Sequence, residues 1–296
     1  MSDPILVPLP GNDDLARGLG QALGMEIGGL EVRKFPDGET YLRYIDQIEE
    51  RPVILLCTLD RPDEKFLPLV FAAATARSLK ASRVGLVAPY LAYMRQDQRF
   101  KPRESITSVH FARLLSEHID WLITVDPHLH RRSSLEEIYA VPAIATGAAP
   151  LIADWLGRQV NQPVLIGPDE ESEQWVASVA REASAPYMVL RKIRRGDHDV
   201  EISLPDNDLC RNGTPVLVDD IVSTGRTMIE TIGQLSGINT RPPICVGVHG
   251  VFAGTAYLDL LAAGAAQVVT TNTIPHESNQ IDATGLLAEA IRGLTS

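Results

Sequence analysis

The chain has 296 residues, 45% of them hydrophobic and 22% charged, the composition of a globular protein long enough for two ordinary domains. Its formal charge of −11 argues against nucleic acid or an anionic membrane as the main partner. No apolar run approaches bilayer-spanning length and the start lacks a basic flank before a long apolar core, so no membrane association and a cytoplasmic location are expected.

Strand and helix patterns alternate almost throughout. An apolar strand at 5–7 precedes a helix at 14–23; strand 53–57 leads to helix 65–79, strand 84–88 to helix 106–118, and strand 122–125 completes a first series. Beyond a Pro- and Gly-containing stretch at 141–147, a second series runs helix 149–158, strand 164–167, helix 172–182, strand 216–219, helix 227–235, strand 244–248, helix 257–263 and strand 267–271. Such alternation predicts α/β architecture: doubly wound parallel sheets with helices on both faces. Two similar domains, 1–145 and 146–296, with an active site in the cleft, are the economical arrangement. Cys57, Cys210 and Cys245 are odd in number, far apart and outside metal-binding spacing, and read as buried free thiols.

The chemistry concentrates at 216–228. Val216, Leu217 and Val218 read as a buried strand that delivers Asp219 and Asp220 to its carboxyl end, where ligands sit in open α/β sheets. Ser223, Thr224, Gly225, Arg226 and Thr227 then form a turn into a helix, whose free N–H groups and dipole favour an anion. Two carboxylates beside an anion site suit vicinal sugar hydroxyls, so a phosphorylated sugar is the indicated ligand. The plainer alternative is that the aspartates end a strand and Ser223 or Thr224 caps the helix. No P-loop pattern is present.

Other segments carry candidates of their own. Arg95 and Gln96 lie just past a strand end, where a guanidinium can grip phosphate; the plainer alternative is that Arg95 pairs with nearby Asp97 as a solvated charge. Phe35, Asp37 and Glu39 surround a Pro-Asp-Gly turn that needs no further explanation. Asp126 and His128 end one strand and Asp169 another; a lone strand-end histidine is more often structural than a metal ligand, and His130 reads as surface. The basic stretch from Lys192 through Arg194 to Asp199 is hairpin-like, with the composition of a mobile loop or of a solvated charge run.

The 216–228 run resembles the phosphoribosyl diphosphate (PRPP) binding loop. Together with Phe35-Pro-Asp-Gly-Glu39, Pro89-Tyr-Leu-Ala-Tyr-Met-Arg-Gln-Asp97, Arg103-Glu-Ser-Ile-Thr107, Val125-Asp-Pro-His128, Ile166-Gly-Pro-Asp169, Lys192-Ile-Arg194 and Thr273-Ile-Pro-His-Glu-Ser278, it resembles the ribose-phosphate diphosphokinase (PRPP synthetase) family, in wording close to its short archaeal form. The resemblance implies two phosphoribosyltransferase-like domains, ATP on the N-terminal one and ribose 5-phosphate on the C-terminal one. It assigns Arg95, Gln96, Phe35, Asp37 and Glu39 to ATP, the last three reaching across from a neighbouring subunit of a homo-oligomer. It assigns Asp219, Asp220, Ser223, Thr224, Gly225, Arg226 and Thr227 to ribose 5-phosphate, His128 and Asp169 to Mg²⁺, and Lys192 and Arg194 to the transferring phosphoryl group. Two positions depart from the pattern: Glu171 stands where a Gly usually comes two residues after Pro-Asp, and Arg226 where Gly is commoner in the loop. A non-catalytic regulatory relative and a phosphoribosyltransferase are the rival functions; the second would not need the ATP segments.

Overall fold

The computed structural model describes residues 2–167, 172–195, 199–203, 207–238 and 240–295. The chain divides into two compact units. One takes the chain as far as Thr146 together with Thr273–Pro275 and the stretch from Thr284 onward; the other takes Gly147–Asn272 and His276–Ala283.

The first unit is built from β1 (Ile5–Pro8), α1 (Asp13–Leu23), β2 (Glu26–Ile27), the antiparallel pair β3 (Leu30–Lys34) and β4 (Thr40–Tyr44), β5 (Pro52–Leu56), α2 (Pro62–Ser78), β6 (Arg83–Ala88), α3 (Thr107–Ser116), β7 (Trp121–Val125) and β8 (Ala143–Thr146). Six of these strands form a parallel sheet in the order β2-β1-β5-β6-β7-β8. Its central strands are unbroken apolar runs because helices cover both faces, and Val53, Leu55, Leu86 and Leu122 are all but fully buried. Gly85 lies opposite Trp121 in the neighbouring strand, and a Cβ there would meet the indole at 2.0 Å, so no larger residue fits. Helix α2 begins three residues before the expected start because Pro62, lacking an N–H, suits the first helical position. The 141–147 stretch, read from the sequence as the break between the two series, contains the edge strand β8, paired in register with β7 from Leu122↔Ala143 to Val125↔Thr146.

The second unit comprises α4 (Ala149–Gln159), β9 (Pro163–Gly167), α5 (Glu173–Ala183), β10 (Tyr187–Val189), the antiparallel pair β11 (Arg191–Arg195) and β12 (Asp199–Ser203), α6 (Asn207–Asn212), β13 (Thr214–Val222), α7 (Arg226–Gly237), β14 (Ile244–Gly250), α8 (Ala256–Ala262), β15 (Gln267–Thr271) and β16 (Asn279–Ile281). Its parallel sheet runs β10-β9-β13-β14-β15-β16. Ile166, Leu217, Ile232, Cys245 and Leu260 form its core. Helix α9 (Thr284–Thr295), for which no expectation was drawn, belongs to the first unit: Leu287, Ala288 and Ile291 are buried and Arg292 donates to the Ala22 carbonyl at the end of α1.

Both units are therefore the parallel α/β sheets that the alternating pattern predicts. Strand order reverses between β9 and β13 in the second unit, and crevices at such points are where ligands bind in this class of sheet. All three cysteines are free and buried, as their spacing implied. Among the described residues no helix is long and apolar enough to cross a membrane.

Candidate active site

Strand β13 carries the most concentrated chemistry. It runs three residues past the expected end, because β14 stays extended beside it: Ile221 pairs with His249 and Val222 with Gly250. Asp219 and Asp220 thus lie inside the ladder rather than at its tip, Asp219 half-buried and Asp220 only 7% exposed. The chain then turns through Ser223 and Thr224 to Gly225, whose φ of 65° is left-handed, with Leu260 packed 3.2 Å from where a Cβ would stand. Glycine is the residue that takes this conformation without strain.

Helix α7 starts at Arg226 with Gly225 as its N-cap and no side-chain capping bond. The alternative in which Ser223 or Thr224 serves as the cap therefore fails. Among the described residues the hydroxyls of Ser223, Thr224 and Thr227 make no hydrogen bond, and the first intrahelical bond closes only at Ile229 N–H to Gly225 O. Unused hydroxyls and first-turn N–H groups converge on one helix end, the arrangement that binds an anion. The turn is braced from behind in a way the sequence did not suggest. Phe252 N–H donates to the Val222 carbonyl and Ala253 N–H to the Ser223 carbonyl, each at 3.0 Å. The Phe252 ring packs on His276 and Tyr257, so an aromatic trio supports the loop after β14.

In the first unit, the segment after β6 folds back on itself. Leu91, Ala92 and Met94 are buried, which turns Arg95 and Gln96 to the solvent. Tyr93 sits at φ 63° and donates its hydroxyl to Asp63; burial and then that carboxylate push its phenol up to about 12, so it remains a donor at neutral pH. Gln96 is held by Thr107, whose hydroxyl donates to its Oε1 at 2.5 Å, and by Ser108 N–H on its carbonyl. The suggested Arg95–Asp97 pair does not form: Asp97 is paired with Arg131 instead, and Arg95 has no ion-pair partner among the described residues.

After β7 the backbone is strained. Asp126 has φ 35° and His128 φ 56°, with Asp126 N–H bonded to the Thr146 carbonyl of β8 and His128 N–H to the Asp126 carbonyl. Positive φ in non-glycine residues is uncommon and concentrates at functional turns. His128 is half-buried and its ring lies 4.0 Å from that of His130, so His130, read as surface from the sequence, is a packing partner of the candidate ligand.

The remaining candidates divide by location. Phe35, Asp37 and Glu39 form the exposed tip of the β3–β4 hairpin, where Asp37 Oδ1 accepts from Glu39 N–H and Gly38 takes φ 92°. Arg33 lies over the Tyr41 ring at 4.1 Å and the Phe35 ring at 4.9 Å. Lys192 and Arg194 belong to the regular strand β11, in register with Ile202 and Val200, so the hairpin-like reading holds while the basic residues themselves sit in a ladder. Asp169 and Glu171 lie outside the described residues.

Comparison with known proteins decides the family. Residues 5–118 match the N-terminal domain of ribose phosphate pyrophosphokinase and residues 134–283 match the phosphoribosyl transferase domain. The chain is 32% identical to a ribose-phosphate pyrophosphokinase of Methanopyrus kandleri, over 95% of its own length and 96% of the relative's. It belongs to the ribose-phosphate pyrophosphokinase family. The Methanosarcina acetivorans pyrophosphokinase is likewise 32% identical, with 96% of this chain and 98% of the relative covered. The fold agrees: the crystal structure of phosphoribosylpyrophosphate synthetase from Mycobacterium smegmatis superposes with a TM-score of 0.87 over 99% of both chains, at 22% identity. The resemblance drawn from scattered motifs and the expectation of an enzyme both stand. As a pyrophosphokinase, the protein carries its β13–α7 loop inside the matched phosphoribosyl transferase domain, and its Arg95–Gln96 segment inside the matched N-terminal domain.

Proposed function

We propose that the protein is a ribose-phosphate diphosphokinase that transfers the β,γ-diphosphoryl group of Mg-ATP to the anomeric hydroxyl of ribose 5-phosphate, giving PRPP and AMP. The observation that carries this is the β13–α7 turn, an uncapped helix start with three unengaged hydroxyls beside two carboxylates, in a chain whose relatives match over nearly their whole length.

In this reading Ser223, Thr224, Thr227 and the N–H groups at the head of α7 take the 5-phosphate, and Gly225 lets the backbone approach it. Asp219 and Asp220 accept hydrogen bonds from the ribose hydroxyls. Arg95 grips ATP phosphate and Gln96, held by Thr107, meets the nucleoside; Phe35, Asp37 and Glu39 receive the adenine from a second subunit, so the active assembly is a homo-oligomer. The anomeric oxygen attacks the β-phosphorus in line, the bond from that phosphorus to the α-phosphate oxygen breaks, and AMP leaves. Lys192 and Arg194 stabilise the charge that builds on the oxygens of the transferring group, so catalysis is positioning plus electrostatics.

The residues present suit Mg²⁺. An imidazole held at a strand end by a strained turn and a second ring suits an ion that keeps waters and phosphate oxygens as most of its ligands. His128 and Asp169 would hold it, and when bound it would neutralise phosphate charge and polarise the β-phosphorus.

The test is incubation with ATP, Mg²⁺ and ribose 5-phosphate, with phosphorus NMR of the products. AMP and a sugar diphosphate are expected. ADP would mean an ordinary sugar kinase, and no turnover even with added inorganic phosphate would favour the regulatory relative. Light scattering of the same sample should give more than one chain per particle.

A further inference from the structure

Asp97 is the least exposed charged side chain of the segment after β6, with 3% of its side-chain surface open. A carboxylate is seldom buried so far without cations around it. Both of its oxygens accept from Arg131 Nη1, at 3.2 and 3.3 Å, and its main-chain carbonyl accepts from Arg132 Nη2 at 3.2 Å. Arg131 also lies 5.6 Å from the Phe100 ring, and Arg132 is held at its far end by Glu137 at 3.9 Å.

These bonds join two stretches that are 34 residues apart in the chain. On one side are Arg95 and Gln96, immediately before Asp97. On the other is the turn that carries His128, three residues before Arg131. Among the described residues Arg95 has no side-chain anchor of its own, so its place is set by what holds the backbone on either side: Tyr93 through Asp63, and Asp97 through the arginine pair. The turn has the same need. Left-handed conformations at Asp126 and His128 persist only where surrounding structure over-determines them, and Arg131 and Arg132 supply that hold just downstream.

We infer that Asp97 is a positioning residue: through Arg131 and Arg132 it locks the Arg95–Gln96 segment to the His128 turn, so that nucleotide contacts and the candidate metal ligand are set as one rigid piece. The inference rests on the assignment of Arg95 and Gln96 to ATP. Pre-set geometry matters here because a phosphate clamp displaced by about 1 Å loses roughly a hundredfold in rate.

The test compares wild-type protein with Asp97→Asn and Arg131→Ala by calorimetric titration with ATP in EDTA and separately with ribose 5-phosphate, beside thermal unfolding and the ring resonances of histidine-labelled protein. Both variants should bind ATP about tenfold or more weakly, keep their ribose 5-phosphate affinity, and shift the His128 resonances. A brace of merely structural importance would lower the unfolding temperature and leave the folded protein's ATP affinity and the His128 signals unchanged, which would overturn the inference. Should Asp97→Asn fail to fold, Arg131→Lys, which keeps the charge and shortens the reach, carries the same expectation and the same refutation. A wild-type protein that binds ATP yet forms no AMP would sink the proposed reaction while this assignment survives; unaltered ATP affinity in folded variants of an active enzyme would do the opposite.

Discussion

Lys192 and Arg194 occupy alternate positions of β11, where the ladder with β12 fixes their spacing. If they stabilise charge that develops only during transfer, each substitution by Ala should lower kcat by about 10²- to 10⁴-fold with much smaller changes in substrate KM. Steady-state kinetics with near-normal kcat for both variants would remove them from that role. Asp219 and Asp220, if they accept from the ribose hydroxyls as proposed, act on the ground state instead. Bonds from charged acceptors to sugar hydroxyls contribute roughly 1.5–3 kcal/mol each, so replacing both with Ala should weaken ribose 5-phosphate binding about tenfold or more and leave ATP binding largely intact. Titration calorimetry with each ligand measures this, and an unchanged sugar-phosphate affinity would mean that the loop holds something else. The proposed roles of Asp219 and Asp220 could be suggested from sequence because the residues of the 216–228 loop are contiguous in the chain. The Asp97–Arg131 pair was not, since nothing in a linear pattern links partners 34 positions apart, and the nearer Arg95 looked the more natural mate.

At the level of elements, the β13–α7 junction depends on a single backbone conformation. Gly225→Ala puts a Cβ on a left-handed residue, at about 1–2 kcal/mol, and within 3.2 Å of Leu260. A fall of several degrees in Tm is expected, since about 1 kcal/mol corresponds to roughly 2–4 °C in a chain of this size class. Ribose 5-phosphate affinity should fall with it, and calorimetry of the variant reads both; a Tm and affinity equal to wild type would show that the turn has another way to close. The elements that escaped the sequence reading did so for identifiable reasons. Strand β8 sits between Pro142 and Gly147 and reads as a break between domains until β7 pairs with it. The turn at the tip of the first hairpin was evident from Pro36, Asp37 and Gly38, whereas β3 and β4 are polar strands without the apolar run that marks a buried one.

Across the molecule, burial shapes the response to pH. It pushes the thiols of Cys57 and Cys245 up to about 12 from an ordinary 9.0, and it raises the phenols of Tyr44 and Tyr139 as well. Between the unfolded and folded values the unfolded chain has released protons that the native protein still holds. Stability from these groups is therefore whole below about pH 9 and is lost as pH rises toward about 12. Urea unfolding midpoints should decline over that interval, and the native protein at pH 8 should resist thiol reagents until it is unfolded; midpoints flat across the interval would contradict the burial of these groups.

The sequence alone determined the class of fold and the family, and it marked the loop proposed to hold the sugar phosphate, because hydrophobic alternation and short motifs are local properties that survive in one dimension. Only the tertiary structure decided that Asp219 and Asp220 lie within a strand, that no hydroxyl caps α7, that α9 returns to the first unit, and that Asp97 belongs to Arg131 rather than Arg95. Each of these depends on which distant segment supplies a backbone partner, an apolar face or a counter-charge, and that choice is made by packing.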